Sequence, residues 1–152
     1  MHFIDRQGVR LAYYDPGRAG RTPMLLVHGW CSNAAIFEPL AAAFRADYRV
    51  VSVDLRGNGA SDAPEGADHY TVTTSADDLA TLCDHLGLRG AVLVAHSLGG
   101  AAATELAARR PDLAAAVVTL DGAVRYPDED RPQAAELVAG LAQSGRVDSV
   151  QA

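Results

Sequence analysis

The sequence predicts an α/β domain in which a mostly parallel sheet carries helices on both faces. Three observations predict it. From residue 24 onward, apolar strand-like runs alternate with helix-like runs. The runs 24–27 and 91–94 are short and wholly apolar, as strands covered on both faces must be. Each leads into a turn built on small residues: His28-Gly29 after the first, and Ala95-His96-Ser97-Leu98-Gly99-Gly100 after the second.

The elements follow in order. Residues 3–5 and 9–14 flank Gln7-Gly8 and read as a β-hairpin. Residues 15–20 are a loop by their Pro and Gly content. After the strand at 24–28, Ser32 or Asn33 can cap a helix. Ile36, Phe37, Leu40, Ala41 and Phe44 form its apolar stripe, with Pro39 near its start. Residues 49–54 are the next strand, and 55–72 a long loop rich in Gly, Asp and Pro. Thr74 or Ser75 is read as the cap of a second helix, with Asp77 and Asp78 in its first turn and Gly87 ending it. A strand at 91–95, a helix at 98–109 stopped by Pro111, and a strand at 115–120 ending at Asp121 complete the core. One more helix is expected at 132–141 and a polar tail from Gln143. The expected division is a core over 1–125 and the start of a lid segment over 126–152.

Composition narrows the function classes. At 152 residues the chain suits one domain with a sizeable core. A net charge of −6 with scattered arginines argues against a nucleic-acid surface. No apolar run approaches the ~20 residues that span a bilayer, and the first residues do not read as a signal peptide. Cys31 and Cys83 lack metal-ligand spacing and read as reduced thiols of a cytoplasmic protein. Cys31 is expected to be buried and inert, because no basic group stands near it in sequence. No metal or cofactor is expected.

The chemistry centres on Ser97. A serine between an apolar strand and a helix, flanked by Ala95 and Gly99, reads as a nucleophile elbow. The turn is so tight that bulky residues two positions either side would clash. It lifts the hydroxyl clear of the sheet and aims backbone N–H groups at a developing oxyanion. The bland alternative is a turn serine that merely caps a helix.

With the His28-Gly29-Trp30 turn and the loop Asp54-Leu55-Arg56-Gly57-Asn58-Gly59, the chain resembles the α/β-hydrolase fold family, in its lid-bearing esterase, lactonase and perhydrolase branch. Ala95 stands where Gly is commoner, and Asn58 where His or Tyr is often found. The resemblance implies that Ser97 attacks an acyl carbonyl and that the backbone N–H groups of Trp30 and Leu98 form the oxyanion hole. It implies a structural role for His28 and Gly29 beside that hole, while His96 adjoins Ser97 on a turn whose side chains diverge. Asp121 is the candidate acid, although most members carry theirs one strand later. Asp54 and Arg56 are expected to pin their loop, and Asp62 and Asp68 to be solvated charges.

The family continues for roughly another 100 residues, with two more strands (still one-domain size), so this sequence is expected to stop short of the last strands. The catalytic histidine that the family places late has no counterpart among His2, His28, His69, His85 and His96. The expected activity is hydrolysis of a small ester, lactone or amide through a serine acyl-enzyme. An epoxide hydrolase or haloalkane dehalogenase would want a carboxylate at position 97. The alternatives are a perhydrolase or cofactor-free oxygenase on the same scaffold, and a non-catalytic or partner-dependent fragment. The expected partners are a small acyl substrate and, at the sheet edge left open by residues 116–120, a second copy or a complementing chain.

Overall fold

A computed structural model describes residues 1–17 and 22–122 of the chain. Six strands form one sheet: β1 (His2–Arg6), β2 (Val9–Tyr14), β3 (Pro23–Val27), β4 (Arg49–Val53), β5 (Ala91–His96) and β6 (Ala114–Leu120). Their spatial order is β1-β2-β4-β3-β5-β6. The four strands from β3 to β6 are parallel, and the β1–β2 hairpin adds antiparallel to β4. Gln7 and Gly8 both adopt positive φ in the hairpin turn, the geometry that matches the strands' twist. The expected helix at 132–141 and the expected lid segment lie outside the described residues.

Side-chain alternation divides the core between two faces. Leu25, Val27, Val51, Val53, Leu93 and Ala95 face α2 (Val72–Leu86) and α3 (Leu98–Arg109), meeting Leu79, Leu82 and Leu106. Met24, Leu26, Val50 and Val94 face the other way, toward Phe37 and the half-buried Leu40 and Ala41 of α1 (Glu38–Phe44). Helices therefore cover both faces, as the wholly apolar strands require.

The fold departs from the sequence expectation at the start of α2, at the stripe before α1 and at the two cysteines. First, α2 begins at Val72, not after Thr74 or Ser75. Thr71 is its cap and accepts from the Thr74 N–H at 3.0 Å. Asp77 and Asp78 therefore lie beyond the first turn and do other work, described below. Second, Ile36 and Phe44 are exposed instead of completing an apolar stripe. Residues Ala34–Phe37 wind as a tighter 3-10 turn capped by Asn33, so the phase of the stripe breaks before α1 starts. Phe44 packs edge-on against Tyr48 instead. Third, Cys31 is exposed, on a turn at φ 53°, and Cys83 is the buried thiol. Burial pushes the Cys83 thiol up to about 12, which leaves it inert.

Candidate active site at the carboxyl ends of three strands

β3, β5 and β6 are neighbours and run the same way, so their carboxyl ends share one rim. The chain leaves β3 for β4 on one side, and β5 lies on the other. The rim between β3 and β5 is thus a switch point of the sheet, where open α/β folds place their ligands.

Ser97 occupies that rim between β5 and α3, at φ 50° and ψ −121°. A non-glycine residue held there stores strain of order 1–3 kcal/mol, which the surroundings must impose. They do. Ser97 donates its N–H to Leu120 O at 3.2 Å, and its carbonyl accepts from Gly100 N at 2.8 Å. The helix begins at once, with Leu98 as its first residue. A Cβ on Gly99 would collide with the carbonyl oxygen of His28, and would sit 2.6 Å from that of Val27. A Cβ on Gly29 would lie 2.9 Å from Ser97 Cβ and 2.8 Å from His96 Nδ1. Elbow and His28-Gly29-Trp30 turn therefore meet backbone to backbone. Ser97 Oγ caps nothing in α3, so the bland reading of Ser97 as a helix cap does not hold.

Four non-glycine residues have positive φ among the described residues: Gln7, Cys31, Ser97 and Asp121. Three of the four stand at this rim, after β3, β5 and β6 respectively. Strain of this kind gathers where function fixes the backbone. Trp30 is exposed, and its N–H enters none of the loop hydrogen bonds among the described residues. The Leu98 N–H, first in α3, has no carbonyl one turn earlier within the helix to bind. Asp121 is exposed one residue past Leu120, the partner of His96 in the β5–β6 register.

His28 is wholly buried. Its Nδ1 bonds Gly29 O at 2.6 Å, and its Nε2 accepts from the Leu55 N–H at 3.0 Å. That pattern fixes the neutral Nδ1–H tautomer. His28 ties the turn after β3 to the loop after β4 and is not a base at Ser97. Burial pushes its pKa down, partly offset by the bond to Gly29. The unfolded chain takes up the proton near pH ~6.5, whereas folded His28 resists until lower pH. Stability should therefore fall as pH drops below about 6.5, by up to ~1.4 kcal/mol per pH unit. Urea midpoints at pH 7.5 and 5.5 check this: His28→Asn should flatten the dependence, and an unchanged slope would exclude His28 as its source.

The loop after β4 is pinned by Asp54, as expected. Its carboxylate accepts from the N–H groups of Ala34 at 2.7 Å and Ala60 at 2.9 Å. Arg56 works differently from the expectation. It turns away from Asp54 and forms a buried bidentate pair with Asp78, at 2.6 and 2.7 Å. Arg6 joins the same carboxylate at 3.2 Å. This cluster was missed because Asp78 reads as a first-turn helix carboxylate when α2 is started three residues late. Asp62 is not simply solvated: it binds Arg10 through both carboxylate oxygens and accepts from its backbone N–H. Asp68 is exposed.

None of the five histidines hydrogen-bonds Ser97. His85 meets Tyr13 OH at 3.5 Å, His2 stacks on Tyr13, and His69 is exposed. His96 points to the α1 face, where it borders an open cleft of about 400 Å³ with Ile36, Phe37, Pro39, Leu40 and Leu120. Among the described residues no group of three His, Cys, Asp or Glu side chains could hold a metal ion, and no helix is long and apolar enough to cross a membrane.

Residues 22–144 match the family model described as the alpha/beta hydrolase fold. The chain belongs to that family. A 2-(acetamidomethylene)succinate hydrolase of Mesorhizobium japonicum is 43% identical over 122 residues, which cover 79% of this chain and 43% of that protein. Epoxide hydrolase 4 of Mus musculus is 32% identical, over 78% of this chain and 33% of its own length. The solved structure of a thermophilic esterase from Thermogutta terrifontis superposes with a TM-score of 0.76 at 32% identity, over 91% of this chain and 53% of that one. The chain thus spans less than half the length of these two curated relatives. Such relatives support a hydrolase of this fold; their names span amide-, ester- and epoxide-related chemistry, so the fold does not choose the reaction.

Proposed function

We propose that this chain carries the nucleophile and oxyanion hole of a serine hydrolase acting on a small ester, lactone or amide. The observation that carries the reading is Ser97, a strained serine wedged between β5 and α3 with its hydroxyl uncommitted to the helix. In the proposed reaction Ser97 Oγ attacks the substrate carbonyl carbon and loses its proton to a base. The carbonyl oxygen takes up the negative charge. The N–H groups of Trp30 and Leu98, assisted by the N-terminus of α3, stabilise it. Collapse expels the alcohol or amine and leaves an acyl group on Ser97, which water then removes. Asp121 is proposed as the acid that orients the base, from its place at the same rim.

Serine at 97 favours acyl transfer over epoxide opening, because water can hydrolyse a serine ester, whereas the serine ether left by epoxide opening would not turn over. The esterase and the amide-named hydrolase among the relatives support that choice.

A second reading is favoured by one observation: no histidine of the chain hydrogen-bonds Ser97. In that reading the chain works with a complementing polypeptide that supplies the base. The edge strand β6 is its proposed docking place, since Val118 and Leu120 are exposed and the strand carries no charged residue. The test is p-nitrophenyl acetate hydrolysis. The chain alone is expected to give trace turnover, of the order of the ~10³–10⁴ over water left when a triad member is lost. Ser97→Ala should remove it. Adding the C-terminal half of the Mesorhizobium relative as a second polypeptide should raise it. Turnover unaffected by Ser97→Ala would overturn both readings.

A further inference from the structure

His96 has no part in the chemistry above, and its imidazole poses a problem of its own. Its Nδ1 is buried, and it is the one buried side-chain nitrogen or oxygen without a hydrogen-bond partner among the described residues. A buried polar atom left unpaired is costly, so its position asks for a reason. Its surroundings supply one. His96 alternates along β5 with Val92 and Val94, which places it on the α1 face. There it lines the open cleft together with Phe37, Pro39, Leu40 and Leu120. Its Nδ1 edge meets Gly29 so closely that a methyl group there would stand 2.8 Å away. The next peptide N–H after Gly29 is that of Trp30.

We infer that His96 is a positioning residue: its ring is a spacer packed on Gly29 at the wall of the cleft, and it sets where the Trp30 N–H points relative to Ser97 Oγ. The inference rests on the reading of Ser97 as nucleophile and Trp30 as oxyanion donor. The unpaired Nδ1 belongs to this arrangement. Nothing among the described residues donates to it or accepts from it. A planar group with a polar atom at the Nδ1 position would fill the same space. Asparagine is such a group and alanine is not.

The experiment uses the whole chain, with Ser97→Ala, His96→Ala and His96→Asn beside it. The probe is ethyl p-nitrophenyl methylphosphonate. Ser97 Oγ would form a bond to phosphorus as the bond to p-nitrophenolate breaks, with the serine proton passing to solvent. Mass spectrometry follows this single turnover even where catalysis is slow. Saturation separates the maximal labelling rate from the apparent binding constant. His96→Ala is expected to lower the maximal rate roughly tenfold, less than the ~100-fold that follows outright loss of an oxyanion donor. Binding should change by less than about twofold, and His96→Asn should recover most of the rate. Trp30 is the only tryptophan in the chain, so its emission reports on the same turn. It should shift in His96→Ala and return in His96→Asn.

Labelling and emission in His96→Ala equal to those of the unaltered chain would overturn the inference. So would rate and binding falling together without rescue by asparagine, which marks general loosening of the fold. If the unaltered chain labels no faster than Ser97→Ala, the nucleophile reading fails instead. The spacer role is then decided by Trp30 emission alone: a shift rescued by asparagine sustains it, and no shift ends it.

Discussion

Gly99→Val is expected to cost at least about 3 kcal/mol, the upper part of the range for forcing extra atoms into a packed site. The reason is space, not backbone freedom. Gly99 is where the first turn of α3 crosses the end of β3, and its missing Cβ leaves room for the carbonyl oxygens of His28 and Val27. Backbone carbonyls cannot swing aside as a flexible side chain can. They belong to the strand end and turn that carry the proposed oxyanion donor. With total stabilities of ~5–15 kcal/mol for domains of this kind, the valine variant should be marginal or insoluble. Gly99→Ala keeps the effect measurable, because the first carbon already collides. Gly87→Ala is the control: Gly87 ends α2 at φ 65° with nothing within 4 Å of a Cβ. It should lose only the ~1–2 kcal/mol of a left-handed non-glycine residue. Urea unfolding of both alanine variants decides the matter, and a Gly99→Ala midpoint equal to that of the unaltered chain would refute the steric account.

Asp78→Ala is expected to cost about 3–5 kcal/mol, the usual penalty for removing one partner of a buried ion pair. Asp78 is almost completely buried and faces both Arg56 and Arg6. Arg56 is itself buried, and its remaining partner is His69 O at 3.3 Å. Removing the carboxylate leaves a guanidinium out of water without a counter-charge. The cluster joins β1, the loop after β4, and α2, and Asp77 extends it to Arg109 on α3. The loop from Asp54 to Tyr70 should therefore loosen before the sheet does. Limited trypsin digestion should cut after Arg56 in Asp78→Ala and spare that bond in the unaltered chain. A loss below about 1 kcal/mol, with Arg56 still protected, would show that the cluster is not what holds the loop.

Much of the fold was legible because its signals are local. Wholly apolar runs flanked by glycine turns gave β3 and β5, and Gln7-Gly8 gave the hairpin. The elbow was legible for the same reason: Ala95, Ser97 and Gly99 are spaced as the turn demands, and the turn has the strained φ that spacing implies. What sequence did not reveal depends on partners far along the chain. Asp78 lies 22 residues from Arg56 and 72 from Arg6, so nothing near it in sequence announces the pairing. The start of α2 was obscured by Thr71-Val72-Thr73-Thr74, where several residues could cap and β-branched side chains blur the helical signal. Cys31 was expected in the interior because no basic group stands near it in sequence. The turn after Trp30 holds it outside. The packing of His96 on Gly29 arises from two distant strands meeting, and no local pattern encodes it.

The most direct test of the central claim is the site of acylation. The chain is incubated with p-nitrophenyl acetate, quenched in acid and digested with trypsin, and the peptide spanning residues 90–109 is sequenced by tandem mass spectrometry. Ser97 as nucleophile predicts an acetyl group on Ser97 in the unaltered chain and none on that peptide in Ser97→Ala. Acetylation confined to exposed groups elsewhere, equal in both proteins, would contradict it.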